Sequence, residues 1–166
     1  MKMNQNRSIK TPHYEAKCTP HSIIIKWNNR VDKYEEKSST ESRIYKYSAE
    51  EILFYYKNDI HYATENDHKI LLKNVEGSIY SYMRYKKIVV IEDTSDPPDN
   101  VFIFPIEELL KSAADMNISD DRIKYHTISS SDWNSNIFSD SNYIYICTEN
   151  ELIKIKIKTN KVTRIS

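Results

Sequence analysis

The segment Leu152-Ile-Lys-Ile-Lys-Ile-Lys158 alternates strictly between apolar and cationic side chains. Successive side chains of an extended strand point to opposite faces, so Ile153, Ile155 and Ile157 share one face and Lys154, Lys156 and Lys158 the other. On a helix the same spacing would scatter the isoleucines around the axis. The segment is therefore a strand with one dry face and one wet face, as an antiparallel sheet provides. Its lysines discourage edge-to-edge association. Tyr143–Cys147 and Val162–Ile165 flank it and complete a C-terminal three-strand meander, with turns at Glu149-Asn150 and Thr159-Asn160.

Glycine narrows the choice further. The chain has one, Gly77, among 166 residues, and thirteen tyrosines. Phosphate-cradling loops of the Rossmann or P-loop kind need several residues without a side chain, so they are excluded, and most nucleotide-dependent enzymes with them. At 39% hydrophobic and 29% charged, the composition is that of a folded domain.

Along the chain, residues 1–20 are polar and contain Pro12 and Pro20, which suggests a loosely held arm before one domain over 21–166. Ser22–Trp27 reads as a strand rich in β-branched side chains. Asn28–Ser42 reads as a loop, with or without a short helix. Arg43–Tyr47 alternates like a short strand. Ser48-Ala-Glu-Glu51 has the form of a capping box, and Ile52, Leu53, Tyr55 and Tyr56 follow at helical spacing, which predicts a helix over Ala49–Asn58. His68–Val75 and residues 78–85 read as strands joined at Glu76-Gly77, where a positive φ is easiest. Ile88–Ile91 reads as a central strand buried on both faces. Asp93–Asn100, with Pro97-Pro98, reads as a loop and Val101–Phe104 as a strand. Pro105, Glu107, Glu108, Leu109 and Leu110 predict a helix over Pro105–Asp115. Arg122–Ile128 reads as a strand, and Ser129–Asn136 as a polar loop around Trp133. The last hairpins resemble a β-propeller blade. No repeat persists through the sequence, and 166 residues are few for a propeller of ordinary blade size. The expected class is α+β, with an antiparallel-dominated sheet of about six to eight strands and at least two helices.

Charge is balanced overall but unevenly spread. Residues 1–47 carry a net of +5, residues 48–150 a net of −9 and residues 151–166 a net of +4. The most concentrated acidic element is Glu92-Asp-Thr-Ser-Asp-Pro-Pro-Asp99. Its prolines stiffen the segment that carries Glu92, Asp93, Asp96 and Asp99, which lowers the ordering cost of binding. The spacing is not that of an EF-hand. The plainer reading is a solvated turn between two strands.

Other candidates are sparse. Cys18-Thr-Pro-His21 offers two zinc ligands where a structural site needs four, and His61, His68, His126 and Cys147 could complete it only through folding. Two cysteines make no disulfide framework. His126 is the one histidine to test as a base, though a lone strand histidine is more often structural. Tyr80 and Tyr82 with Arg84, Lys86 and Lys87 imitate a stacking-plus-basic platform for single-stranded nucleic acid, but the zero net charge lacks the usual basic footprint. No nucleophile elbow or His-Glu-x-x-His is present.

The sequence thus leads to a non-enzymatic binding protein needing neither metal nor cofactor. The expected activity is that of an immunity protein, an inhibitor that occludes the active site of a cationic bacterial toxin, through Glu92, Asp93, Asp96, Asp99 and an anchoring Trp133. Binding of single-stranded nucleic acid and an unfamiliar hydrolase or nuclease are the alternatives. The N-terminal residues have no apolar stretch and no run approaches the roughly 18 residues of a membrane helix, so a cytoplasmic location is expected.

Overall fold

The computed structural model describes residues 7–35, 37, 42–92, 99–111, 126–130 and 136–165. Among these, sixteen strands form four antiparallel sheets of four strands each. The first sheet comprises β1 (Ser8–Lys10), β2 (Tyr14–Thr19), β3 (Ser22–Trp27) and β4 (Val31–Glu35). The second comprises β5 (Arg43–Lys46), β6 (Ile52–Tyr56), β7 (Asp59–Ala63) and β8 (His68–Leu72). The third comprises β9 (Ser78–Tyr82), β10 (Lys87–Glu92), β11 (Asp99–Pro105) and β12 (His126–Ser130). The fourth comprises β13 (Asn136–Ser139), β14 (Tyr143–Cys147), β15 (Leu152–Lys156) and β16 (Lys161–Ile165). Every sheet is a meander with its strands in chain order, as in a propeller blade. The first, second and third sheets begin at equal intervals, so a structural repeat exists that the sequence conceals.

The expected α+β class is therefore corrected to nearly all β. The helix expected over Ala49–Asn58 is instead a turn, the strand β6 and the hairpin turn that follows it. Ile52, Leu53, Phe54 and Tyr55 are all buried, so consecutive residues on both faces are covered and helical spacing carries no information there. Lys57 and Asn58 both take positive φ, 49° and 65°, and close a two-residue hairpin between Tyr56 and Asp59. The second expected helix shrinks to α1, Ile106–Lys111, with Ile106 and Leu109 buried. Pro105 does not open it. It ends β11 opposite Lys87, where a missing N–H is tolerated. Residues 112–115 lie outside the described residues.

Other segments also differ. The expected loop over 28–42 contains β4, paired to β3 along its length. Residues 8–10 and 14–19, within the expected arm, form β1 and β2 and bury Ile9, Tyr14, Ala16 and Cys18. Gly77 does take a positive φ, 113°, but it joins two sheets and not two strands of one hairpin. The strand expected over 78–85 stops at Tyr82, and Met83–Tyr85 form one 3₁₀ turn. Ile88, Val89, Val90 and Ile91 are buried in a strand paired on both sides, as expected.

One turn recurs where glycine is absent. At Thr11–Tyr14, Ser48–Glu51, Thr64–Asp67, Asp140–Tyr143 and Thr148–Glu151, the first residue donates its backbone N–H to the carbonyl of the fourth, at 2.8 to 3.1 Å. Its side-chain oxygen accepts from the backbone N–H of the third residue, the fourth, or both. A Thr, Ser or Asp oxygen thereby stands in for a backbone acceptor and tightens the turn. Ser48-Ala-Glu-Glu51, which looks like a capping box, is one of these.

The chain divides into two compact units, one holding β1–β8 and the other β9–β16. In the first, Ile9, Tyr14, Ala16, Ile23, Ile25 and Trp27 of one sheet pack on Ile44, Ile52, Phe54 and Ala63 of the other. In the second, Tyr80, Tyr82, Val89, Ile91, Val101 and Ile103 pack on Ile144, Ile146, Ile153, Ile155 and Ile157. The Lys87 ammonium adds a polar tie there. It donates to the Ile157 carbonyl at 2.7 Å, to the Lys158 carbonyl at 3.2 Å and to Asn160 Oδ1 at 2.8 Å. Partial burial lowers its pKa.

Two substitutions test this account by urea unfolding. Ile155→Ala removes a fully buried side chain and is expected to cost about 3 kcal/mol, while neighbouring Lys156→Ala stays within about 0.5 kcal/mol. Thr148→Val keeps the shape but loses the turn acceptor and should cost about 1 kcal/mol, which Thr148→Ser restores. Equal stability of the valine and serine proteins would contradict the role given to the side-chain oxygen.

Candidate functional site

The acidic segment lies between β10 and β11, and the pairing of Glu92 with Asn100 fixes its two ends. Glu92 closes β10 and Asp99 opens β11, so both stand at one end of the same hairpin. Beneath them, Ile88–Ile91 and Val101–Phe104 are buried, and each strand is paired on both sides. The backbone that carries the acidic segment is thus anchored in the middle of a sheet. Asp93 and Asp96 lie outside the described residues, as does Trp133.

The platform expected from Tyr80 and Tyr82 is corrected. Both rings are buried in the core of the second unit, Tyr82 to 1% exposure, and offer no face to a base. Their alternation with Ile79 and Ser81 is real, but those two are buried as well, so alternation could not reveal a wet face. Lys87 is committed to the carbonyls described above.

Cys18 is buried in β2 and donates its thiol to the Ser42 carbonyl at 3.1 Å, while His21 is exposed in the following turn. Among the described residues no group of three or more His, Cys, Asp and Glu is placed to hold a metal ion. Cys18 and Cys147 are not joined in a disulfide. His126 opens β12 opposite Ile103, and its side chain lies outside the described part.

A cluster the sequence did not single out sits on the second sheet. His61 Nδ1 and His68 Nε2 face each other at 2.9 Å across the β7–β8 hairpin. The rings are nearly coplanar, at 4°, and Phe54 stacks on His61 with centroids 4.7 Å apart. Tyr34 of the first sheet leans on both imidazoles from 6.3 and 6.4 Å. The β7–β8 register shifts between Ile60 and His61, an irregularity that re-aims the strand at that point. Beside the pair opens a cleft of about 300 Å³ lined by Arg30, Asp32, Tyr34, Asn66, Asp67 and His68. Asp32 accepts from the Trp27 indole at 2.9 Å and is paired with Arg30 at 3.2 Å, so its charge is largely spent. The available signal was the placement of the two histidines on either side of the Thr64–Asp67 turn, once that turn is recognised.

One of the two facing nitrogens must donate its N–H and the other accept it, so protonation of the accepting nitrogen would set two donors against each other. Burial first, and the nearby His68 second, push the His61 pKa down from 6.5 to about 4. The unfolded chain takes up that proton at the higher value. His61 therefore contributes stability that is complete above about pH 6.5 and is lost as pH falls towards 4, roughly 3 kcal/mol in all. Chemical unfolding at pH 7 and pH 4.5 checks this. His61→Phe, which keeps the stack on Phe54, should lose markedly less stability over that interval than the unaltered protein.

No family model matches the chain, and no curated protein matches it either. Among solved structures, PorZ, an essential bacterial surface component of the type-IX secretion system of Porphyromonas gingivalis, is similar over 98% of this chain and 21% of its own, at 15% identity and a TM-score of 0.47. The chain thus spans about a fifth of that structure's length. A likeness of this degree bears on neither activity nor partner.

Proposed function

We propose that the protein works by binding and not by turnover, as an inhibitor of the immunity-protein kind that neutralises a cationic partner such as a nuclease-type toxin. The observation that carries this reading is the β10–β11 register, which brings Glu92 and Asp99 to one end of a hairpin rooted in buried central strands. With Asp93 and Asp96 between them in the sequence, four carboxylates fall within eight residues. An acidic segment stiffened by Pro97 and Pro98 and joined to two central strands needs little ordering on binding and attracts a basic surface over distance. Occlusion of the partner's active site by this acidic segment, with Trp133 as a further anchor, would be the mechanism. Cys18 and Cys147, which are not joined in a disulfide, suit a reducing, cytoplasmic setting.

Capture from a lysate of the source cell tests the proposal, with the unaltered protein beside a variant carrying Glu92→Gln, Asp93→Asn, Asp96→Asn and Asp99→Asn. A basic protein retained only by the former is expected. Its association rate should fall at least about tenfold in the variant at low salt, with the difference shrinking as salt screens the charges. Equal retention by both proteins would remove the acidic segment from the mechanism.

A further inference from the structure

The solvent face of the fourth sheet carries a pattern that the inhibitor reading does not use. Strand pairing sets Phe138 beside Tyr145, Tyr145 beside Lys154 and Lys154 beside Thr163 in one row. The next row on the same face sets Tyr143 beside Lys156 and Lys156 beside Lys161. The other face of this sheet is the isoleucine layer of the core, so these side chains all point outward. Phe138 is 47% exposed, and it stacks on Tyr145 with centroids 5.0 Å apart and planes at 17°.

Two parallel tracks result. Tyr143 and Tyr145 on β14 form an aromatic track, and Lys156 and Lys154 on β15 form a cationic one, paired residue for residue. Each track repeats every second residue, about 6.7 Å along a strand. None of Lys154, Lys156 and Lys161 is ion-paired with a carboxylate among the described residues. Asp140 does act on Lys154, but its carboxylate is taken up by the Asn142 and Tyr143 amides at 2.8 Å and the Tyr145 hydroxyl at 3.1 Å. A shallow cleft of about 300 Å³ runs along the lysines and includes Tyr143.

We propose that this face binds single-stranded nucleic acid, with bases against Phe138, Tyr143 and Tyr145 and phosphates along Lys154, Lys156 and Lys161. A single strand delivers one flat ring and one negative charge per repeat, which is the pairing the two tracks present. An acidic protein segment would satisfy the lysines but leave the aromatic track without a matching group. In the free protein the Lys154 ammonium rests over the Tyr143 ring at 4.2 Å. Giving up an exposed contact of that kind costs about two- to fivefold in affinity. One stacked base returns at least about fivefold.

The test is fluorescence anisotropy with short labelled oligo(dT) and oligo(U), beside polyglutamate and inorganic polyphosphate. Binding of either oligonucleotide is expected to follow salt with a logarithmic slope of about −2, from three phosphate contacts. It should weaken at least about fivefold in Tyr145→Ala and recover in Tyr145→Phe. Lys154→Gln with Lys156→Gln and Lys161→Gln should flatten the salt dependence. The relative strength of the two oligonucleotides separates RNA from DNA as the source. No binding at low salt overturns the proposal. So does binding that Tyr145→Ala leaves unchanged and that polyglutamate or polyphosphate matches, which would mark a surface for charge alone. None of these variants touches β10 or β11, so the outcome is independent of the inhibitor reading.

Discussion

The architecture depends on how a chain with a single glycine reverses direction. Sixteen short strands need a dense set of tight turns, and tight turns usually draw on residues that accept a positive φ. Here five of them are closed by the side chain of the first residue, which accepts from the amide two positions on and, in three of the five, from the next amide as well. The reversal is thereby built from Thr, Ser or Asp, all of which keep ordinary backbone angles. Elsewhere Lys57, Asn58, Asn74, Lys86 and Asn160 carry the positive φ values directly. Strand length and register follow from where these turns fall.

That device also explains which parts of the fold were legible. The period-two alternation of Leu152–Lys158 identified three strands of the last meander because one face is dry and the other wet, but missed its first strand, β13, and so the four-strand sheet. The same logic failed at Ile52–Tyr56, where both faces are covered and the polar positions that reveal a strand are missing. Ser48-Ala-Glu-Glu51 compounded the error, since a Ser/Thr three residues before Glu signals a helix cap and a side-chain-closed hairpin alike. The repeat of the sheets was hidden for a related reason. What recurs is turn chemistry and alternation, not residue identity, although Thr64-Glu-Asn-Asp67 and Thr148-Glu-Asn-Glu151 come close to a literal copy.

The surfaces were legible in a different measure. The acidic run could be read directly, because charge density needs no fold to be seen. An aromatic and lysine face, by contrast, is assembled from Phe138, Tyr145 and Lys154 on three different strands, and only register brings them together. The sequence placed such a face at Tyr80 and Tyr82, where the local pattern is similar but the rings serve as core. Zero net charge likewise conceals segregation: lysines gather on the solvent side of the fourth sheet, while the densest run of acidic residues in the sequence is Glu92–Asp99.

Lys87 has a consequence of its own. Its ammonium holds carbonyls of the turn between β15 and β16 from a strand of another sheet. Fraying of that last hairpin must therefore strip a partly desolvated cation of its acceptors as well as break the ladder. The hairpin and β10 become one cooperative element, and their amides should exchange with solvent together rather than in sequence. Acetylation of Lys87, by removing the charge and most of the donors, would divide that element in two.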